Sequence, residues 1–346
     1  MRLLLIGGSG FIGRYVVAEL AREGHEVGVL GRSRTPPGAA RLLVGDRKRL
    51  PECRGAIAEF APDVVVDMIA SSAAQARDLI DVVRGIARRT VVLSSMDVYR
   101  ACGVLHRLEP GPLEPLPLTE QSALRTIRQT YPAQQIAALQ HVFGWVDAEY
   151  DKIGVEETVR ELEATVLRLP MVYGPGDPLH RLQPLVKRIA DGRRAIVLPA
   201  SLAAWRASRG HVANVAHAIA LAATRETAIG RTYNVADPDA PSELDWARLV
   251  AAQLGWDGEL AVLPDEKTPP HLRLPGNLAQ HWVADSTRIR DELGYRELID
   301  RSDALATTIA WEREAPVFAP QTFDYAAEDA ALARHFIPPI PRSAGP

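Results

Sequence analysis

The amino-acid sequence predicts an α/β fold, a doubly wound parallel sheet that carries a second, smaller mixed α/β lobe. Short apolar runs alternate with amphipathic segments along the first half of the chain. A cluster of glycines separates the first apolar run from the first amphipathic segment, and Pro- and Gly-rich loops interrupt the second half. Strands that alternate with helices form right-handed βαβ units, in which helices cover both faces of a parallel sheet.

Each element follows from its local pattern. The predicted strands are short apolar runs, typical of strands buried on both faces, at residues 2–6, 26–30, 64–68, 90–93, 164–169 and 231–235. A further strand is expected to end just before Asp46. The predicted helices place their apolar residues on one face, at residues 11–23, 73–88, 152–161, 182–191 and 244–254.

The composition excludes several classes of protein. With 346 residues, 47% of them hydrophobic, and a net charge of −3, the chain is not mainly disordered. Because 40 basic residues face 43 acidic ones, nucleic acid is not an expected partner. The two cysteines exclude a disulfide framework, and the histidine spacing predicts no catalytic metal. We expect a cytoplasmic protein with no membrane partner, since neither a signal peptide nor a long apolar span is visible.

The glycine cluster has the spacing G-x-x-G-x-x-G and lies where a strand gives way to a helix. Gly7 permits a tight turn, Gly10 lets the backbone approach a pyrophosphate, and Gly13 lets the helix pack closely on the sheet. The helix N-terminus adds free N–H groups and the positive end of a dipole. The sequence therefore predicts a dinucleotide site at Gly7, Ser9, Gly10, Phe11, Ile12 and Gly13.

The residues after the next strands predict which dinucleotide binds. An acidic residue after the second strand would bind a ribose hydroxyl, but the chain has Arg32 and Arg34 there. Two arginines suit a 2′-phosphate, so NADP is predicted as preferred over NAD. Asp46 is expected to accept a hydrogen bond from the adenine amino group, and Ala70 is expected to lie near a ribose.

The order of the elements predicts two interleaved units around one cofactor cleft. Residues 1–170 with 206–236 form the dinucleotide-binding domain, and residues 171–205 with 237–315 form the substrate-binding lobe. Residues 316–346, rich in Pro and Ala at first, form a C-terminal tail that wraps the surface or frays.

Several further motifs resemble the short-chain dehydrogenase/reductase superfamily, most closely its extended branch, the NAD-dependent epimerase/dehydratase family. They are Ser-Ser-x-x-Val-Tyr at 94–99, Leu-Thr-Glu at 118–120, Val-Tyr-Gly-Pro-Gly-Asp at 172–177 preceded by Arg168, His-Val-x-Asn-Val-Ala at 211–216, Tyr-Asn-Val at 233–235, and Asp285, Arg288 and Leu-Gly-Tyr at 293–295. The resemblance implies a Rossmann fold, a nicotinamide cofactor, a small-molecule substrate such as a nucleotide sugar, and a homodimer.

The resemblance also implies hydride transfer assisted by a tyrosine acid/base, a lysine four residues later and a serine. Ser95 matches the serine, and Lys152, one of only four lysines, matches the lysine. Ala148 stands where the tyrosine belongs, which makes the chain atypical. Tyr150 precedes Lys152 by two residues, which is ~200° around a regular helix.

Three explanations of this departure remain open. In the first, Tyr150 reaches the site because the helix begins there and the preceding backbone is not helical. In the second, Asp97, or failing that Glu149, replaces the tyrosine. In the third, the chain is a dinucleotide sensor or an RNA-associated protein without redox chemistry. The leading prediction is an NAD(P)-dependent epimerase, dehydratase or ketoreductase that acts on a nucleotide sugar or a related carbonyl or hydroxyl compound.

The resemblance implies further binding residues in the second half of the chain. Pro170 and Val172 match family positions that contact the nicotinamide. Extended members bind the nucleotide diphosphate of their substrate with residues in the region that here contains Arg181, Trp205, Arg206 and Arg209. Arginine suits phosphate, and tryptophan can stack on a base.

Overall fold

A seven-stranded parallel sheet lies at the centre of the computed structural model, which describes residues 1–32, 38–129, 131–315 and 323–335. The strands are β1 (Arg2–Ile6), β2 (Glu26–Gly31), β3 (Arg41–Val44), β4 (Val64–Asp67), β5 (Arg89–Ser95), β6 (Thr165–Leu169), β7 (Met171–Tyr173), β8 (Ala195–Pro199), β9 (Arg209–His211), β10 (Thr232–Asn234) and β11 (Glu259–Leu263). The sheet has the order β3-β2-β1-β4-β5-β6-β10, and every neighbouring pair is parallel.

Helices cover both faces of this sheet, as the sequence predicts. They are α1 (Phe11–Arg22), α2 (Arg54–Phe60), α3 (Ala73–Val83), α4 (Arg100–Leu105), α5 (Ala133–Phe143), α6 (Lys152–Val159), α7 (Gln183–Ala190), α8 (Ala200–Ala204), α9 (Val212–Thr224), α10 (Glu243–Gln253), α11 (Thr287–Leu293), α12 (Arg301–Glu314) and α13 (Tyr325–His335). Helices α1, α9 and α11 build the core on one face, and α2, α3 and α6 build it on the other. The predicted doubly wound Rossmann fold is confirmed.

The position of the ligand cleft follows from the strand order. The chain runs outward from β1 through β2 to β3, then returns to β4 on the other side of β1. In such sheets a crevice opens beyond the carboxyl ends of the strands at this reversal, and ligands bind there. The glycine turn after β1 and the segments after β4 and β5 lie at these ends.

The smaller lobe contains two two-stranded parallel sheets. Strand β7 pairs with β9, and β8 pairs with β11. Helices α7, α10 and α12 bury Val186, Trp246, Val250 and Leu305 together beside these strands. The pairing of β7 with β9 joins segments that the sequence assigns to different units, and α11 packs on the large sheet. The division into two units therefore stays a prediction.

Three local features differ from the sequence-based expectations. The helix predicted at 73–88 ends at Val83, because Arg84 leaves the helical region at ψ 123°. Helix α5 was not predicted. Within the tail, α13 docks on the smaller lobe rather than fraying, since Glu328 forms a buried ion pair with Arg188 at 2.6 Å. None of the helices in the described ranges has the length and apolar character needed to cross a bilayer.

Candidate functional site

The glycine turn forms a cradle between β1 and α1. Gly7 has φ +97°, and its carbonyl accepts a hydrogen bond from Gly10 N at 3.0 Å. A Cβ on Gly13 would lie 2.2 Å from Gly7 O and 2.6 Å from Gly8 Cα, so only glycine lets α1 approach the turn. No side chain caps α1 at Gly10, which leaves its first N–H groups available to an anion.

The neighbouring predicted cofactor residues surround this turn with different degrees of exposure. Ser9, Phe11 and Ile12 are half-buried around the exposed Gly10. Arg32 is exposed at the end of β2, while Arg34 lies outside the described residues. Asp46 accepts a hydrogen bond from Lys48 N at 3.0 Å and so caps the 3₁₀ turn Arg47–Cys53.

A buried ion pair that sequence reasoning missed fixes the turn after β4. Arg47 Nε donates to Asp67 Oδ2 at 3.0 Å, and both side chains are buried. The other oxygen of Asp67 accepts from the backbone N–H groups of Ile69 and Ala70 at 3.0 and 3.1 Å. The carbonyl of Ala70 therefore occupies a defined position beside the cleft.

Lys152 stands between the carboxyl ends of two central strands. Its Nζ donates to the carbonyls of Ala70 and Leu93 at 2.6 and 3.0 Å. An ammonium group has three donors, so one N–H remains for a further acceptor. Burial lowers the pKa of Lys152 from its ordinary 10.5 to about 8, although the negative charges of Asp97 and Asp67 oppose the shift.

The start of helix α6 decides how Tyr150 is oriented. Asp151 is the N-cap in an extended conformation, and it accepts from Ile153 N at 3.0 Å, so the helix begins at Lys152. Tyr150 therefore precedes the helix, and the rotation of ~200° does not apply to it. Its hydroxyl donates to Asp97 Oδ2 at 2.7 Å. The structure thus brings Tyr150, Asp97 and Lys152 to one place.

The other two predicted polar groups have different surroundings. Ser95 Oγ accepts from Asp97 N at 3.1 Å and caps the 3₁₀ turn Met96–Val98, which orients Asp97. Glu149 and Ala148 are exposed, and Glu149 N donates to Asp147 Oδ1. Ser95 and Asp97 therefore share one turn at the end of β5, whereas Glu149 is exposed.

Two residues that no motif marks complete the surroundings of Asp97. The Tyr131 hydroxyl lies 3.3 Å from Asp97 Oδ2, and Arg125 Nη2 lies 3.9 Å from Asp97 Oδ1. Neither Asp97 Oδ1 nor Arg125 Nη2 has a hydrogen-bond partner within the described residues. Burial and the negative charge of Asp97 raise the pKa values of Tyr131 and Tyr150 well above the usual 10.

These shifts bear on the chemistry of the cluster. The resemblance implied a tyrosine whose phenolate the lysine favours, but both phenols here stay protonated and donate hydrogen bonds. Asp97, by contrast, offers an unpartnered acceptor oxygen. Among these side chains, Asp97 therefore presents an acceptor atom that no other described group occupies.

The motifs of the resemblance meet in one buried network beneath this cluster. Arg168 forms two hydrogen bonds with Glu156, at 3.0 and 2.7 Å, and a third with Tyr99 Oη at 3.0 Å. Glu156 also accepts from Ser94 Oγ at 2.6 Å, and Tyr99 donates to Asn234 Oδ1 at 2.6 Å. The network joins β5, β6, β10 and α6, and so it holds the strand of Ser95 against the helix of Lys152.

The predicted substrate-binding residues are already engaged within the protein. Arg181 pairs with Asp177 at 2.8 Å and donates to Val172 O at 2.8 Å. Trp205 is buried, and its Nε1 donates to Gln280 O at 3.0 Å. The remaining two arginines have partners as well: Arg206 Nε donates to Ala240 O, and Arg209 pairs with Glu243 and stacks on Trp246.

Three further local features complete the description of the site and its surroundings. Pro170 and Val172 are buried where β6 passes into β7. A pocket of about 290 Å³ opens beside Tyr150, between Ala148–Asp151, Ser72–Ala74 and Arg128–Gln129. In the described ranges, the carboxylates of Glu19 and Glu23 lie close to His217, but two hydrogen bonds from Arg22 already neutralise Glu19.

Comparison with known proteins identifies the family of this chain. The family model described as "NAD dependent epimerase/dehydratase family" matches residues 3–236. A dTDP-glucose 4,6-dehydratase from Streptomyces griseus is 30% identical over 154 residues, which cover 43% of this chain and 43% of that protein. A 2′-dehydrokanamycin reductase from Streptomyces kanamyceticus is 29% identical over 190 residues, or 52% of this chain and 45% of that protein. The chain spans less than half the length of these curated relatives.

A solved structure shows the same fold over most of the chain. It is a UDP-glucose-4-epimerase from Stenotrophomonas maltophila with bound NAD and formylated UDP-arabinopyranose. The two share 18% sequence identity at a TM-score of 0.67, over 90% of this chain and 98% of that one. Since the family model covers more than half of the sequence and the motifs fall together in space, the chain belongs to the NAD-dependent epimerase/dehydratase family of enzymes.

Proposed function

We propose that this protein is an NAD(P)-dependent epimerase, dehydratase or ketoreductase for a nucleotide sugar or a related carbonyl or hydroxyl compound. The observation that carries the proposal is the buried Lys152–Asp97–Tyr150 group at the carboxyl ends of β4 and β5. Burying a lysine and an aspartate costs free energy of folding, so their presence together at this place indicates a function. The name of the dehydratase relative and the ligands of the solved epimerase support this substrate class.

The residues present fit a nicotinamide dinucleotide. The Gly7–Gly13 turn offers uncapped N–H groups, and a Cβ on Gly13 would fill the approach of α1. Lys152 keeps one donor for a ribose hydroxyl. When bound, the nicotinamide supplies the hydride acceptor or donor. The solved epimerase contains NAD, whereas Arg32 favours NADP. We propose NADP as the preferred cofactor.

Each residue of the group has a separate task in this proposal. Ser95 donates a hydrogen bond to a substrate oxygen, and Asp97 takes a proton from the substrate or returns it. Tyr150 keeps its proton and donates to Asp97, which holds the carboxylate in place. Lys152 supplies positive charge below pH about 8, the pKa that burial gives it.

The proposed class is tested by incubating the purified protein with NAD or NADP and a panel of UDP- and dTDP-sugars and simple ketones. Product formation followed by NMR supports the proposal. Tightly retained cofactor that is recycled within each turnover indicates epimerase or dehydratase chemistry, and net consumption of reduced cofactor indicates a reductase. Cofactor binding without turnover on any compound would overturn the proposal and favour a sensor.

Asp97→Asn is expected to lower kcat by at least about 100-fold, because an amide cannot accept the proton that general-base catalysis moves. Tyr150→Phe is expected to keep a measurable fraction of the activity, since it removes one donor to Asp97 and keeps the ring. Steady-state kinetics of both variants checks that Asp97→Asn loses more kcat than Tyr150→Phe. A larger loss in Tyr150→Phe would assign the acid/base role to Tyr150.

Arg32→Glu is expected to weaken NADP binding by at least about 10-fold while leaving NAD binding little changed, since it replaces a phosphate partner by a repulsive charge. Fluorescence titration with both reduced cofactors measures the ratio. The matched control is Arg194→Glu, an identical charge change at a residue that is 79% exposed in the smaller lobe. Equal losses for the two cofactors would contradict the assignment of Arg32.

A further inference from the structure

The surroundings of Asp97 contain a second phenol whose position the proposed reaction does not explain. Asp97 is fully buried, and its Oδ2 is contacted by Tyr150 at 2.7 Å and by Tyr131 at 3.3 Å. The two rings lie 5.7 Å apart and are tilted to each other. They approach the carboxylate from different parts of the chain, Tyr131 before α5 and Tyr150 before α6.

Arg125 fixes the segment that brings Tyr131 to this place. Its side chain is fully buried, and it donates to the carbonyls of Asp97, Ile127 and Arg128. These contacts fasten the chain before Tyr131 to the turn that holds Asp97. The ring of Tyr131 then packs with an apolar cluster formed by Ile136 on α5 and by Val146 and Tyr150 after it.

We propose that Tyr131 is a positioning residue that, with Arg125, holds the Asp97 carboxylate in the orientation that proton transfer needs. The inference rests on the proposed function and adds a residue that no sequence motif indicated. Burying a carboxylate among aromatic rings costs free energy unless donors surround it. Two phenols on Oδ2 and a guanidinium facing Oδ1 provide that support and leave Oδ1 open.

The groups around Asp97 determine how a pH profile is interpreted. Those that face it from the neighbouring elements are Cys102, His106, Arg125, Tyr131, Tyr150 and Lys152. Burial raises the pKa of Cys102 well above its usual value and lowers that of His106. Lys152 loses its charge only near pH 8. Because His106 and Lys152 can each change charge across the profile, the effect of a substitution at Tyr131 is compared over its full width.

Tyr131→Phe tests the proposal, because it keeps the ring and removes only the hydroxyl. We expect kcat to fall by about 10-fold across the pH profile, since the carboxylate loses one charge-assisted hydrogen bond that holds its orientation. KM and the Kd of the cofactor stay unchanged. A profile that superimposes on that of the wild type would overturn the proposal.

Tyr325→Phe is the matched control, because its hydroxyl also donates to an aspartate, Asp191, but on the exposed side of α13. It is expected to leave the profile unchanged. Neither substitution removes apolar area, so loss of the fold is not expected in either variant. Far-UV circular dichroism of both variants confirms this.

A second measurement needs no turnover and separates this proposal from the proposed function. Urea unfolding is compared for the wild type, Asp97→Asn, Tyr131→Phe and the double variant. Because the Tyr131 hydroxyl contacts the Asp97 carboxylate, the losses of stability in the two single variants should not add in the double variant. Additive losses would overturn the proposal even if turnover is found.

Discussion

Replacing Lys152 by alanine is expected to abolish turnover. The ammonium group bridges the carbonyls of Ala70 and Leu93, and it places one remaining donor and a positive charge where β4 and β5 end. Alanine supplies neither. A bound ribose would therefore lose its hydrogen-bond donor, and the cleft would lose its positive charge. Initial rates with the best substrate of the panel measure the effect.

The control for this variant is Lys187→Ala, which removes a lysine that is exposed and paired with Asp191. Its turnover should match the wild type. Stability should also separate the two lysines. Because burial depresses the pKa of Lys152, the wild-type protein gains stability as the pH rises from about 8 to about 10.5, and Lys152→Ala should lack this gain. Wild-type turnover by Lys152→Ala would refute the site.

Replacing Glu156 by alanine is expected to lower the free energy of unfolding by about 3–5 kcal/mol, because it leaves the Arg168 guanidinium buried and without its carboxylate. The loss extends to Ser94, whose hydroxyl donates to the same carboxylate. Urea unfolding followed by circular dichroism measures the change.

The adjacent Glu157 provides a matched control. It lies on the exposed side of α6 and pairs with Arg128, so Glu157→Ala should cost less than about 1 kcal/mol. Replacing Arg168 and Glu156 together by apolar residues should recover part of the lost stability, since no buried charge then stays unpaired. A small effect of Glu156→Ala alone would show that water or another group reaches Arg168.

The sheet could be predicted from local pattern because its strands are buried on both faces. The runs at 2–6 and 64–68 are apolar for that reason, and the structure places strands at Arg2–Ile6 and Val64–Asp67. The glycine turn was equally readable, because Gly7 and Gly13 are required by backbone geometry rather than by distant contacts. Strand β7 could not be predicted, since three residues between loops carry too little pattern.

The candidate site was predicted only where a motif fixes a backbone position. Ser95, Asp97 and Lys152 follow strand ends or begin a helix, so their places come from the fold. Tyr131 and Arg125 reach Asp97 through a loop that contains no regular pattern. Arg209, whose binding of substrate phosphate stays a prediction, pairs with Glu243, and charge alone does not reveal such a partner.

The Asp151 cap has a consequence for how relatives of this chain are compared. A tyrosine four residues before the lysine can share its helical face only if the helix already includes both residues. Here the cap starts the helix at Lys152, and the extended backbone before it lets a tyrosine at a distance of two reach the same cluster. Alignments that require a tyrosine four residues before the lysine would class such chains as pseudoenzymes. Alignments that place the tyrosine relative to the N-cap of the helix would keep such chains as candidate enzymes.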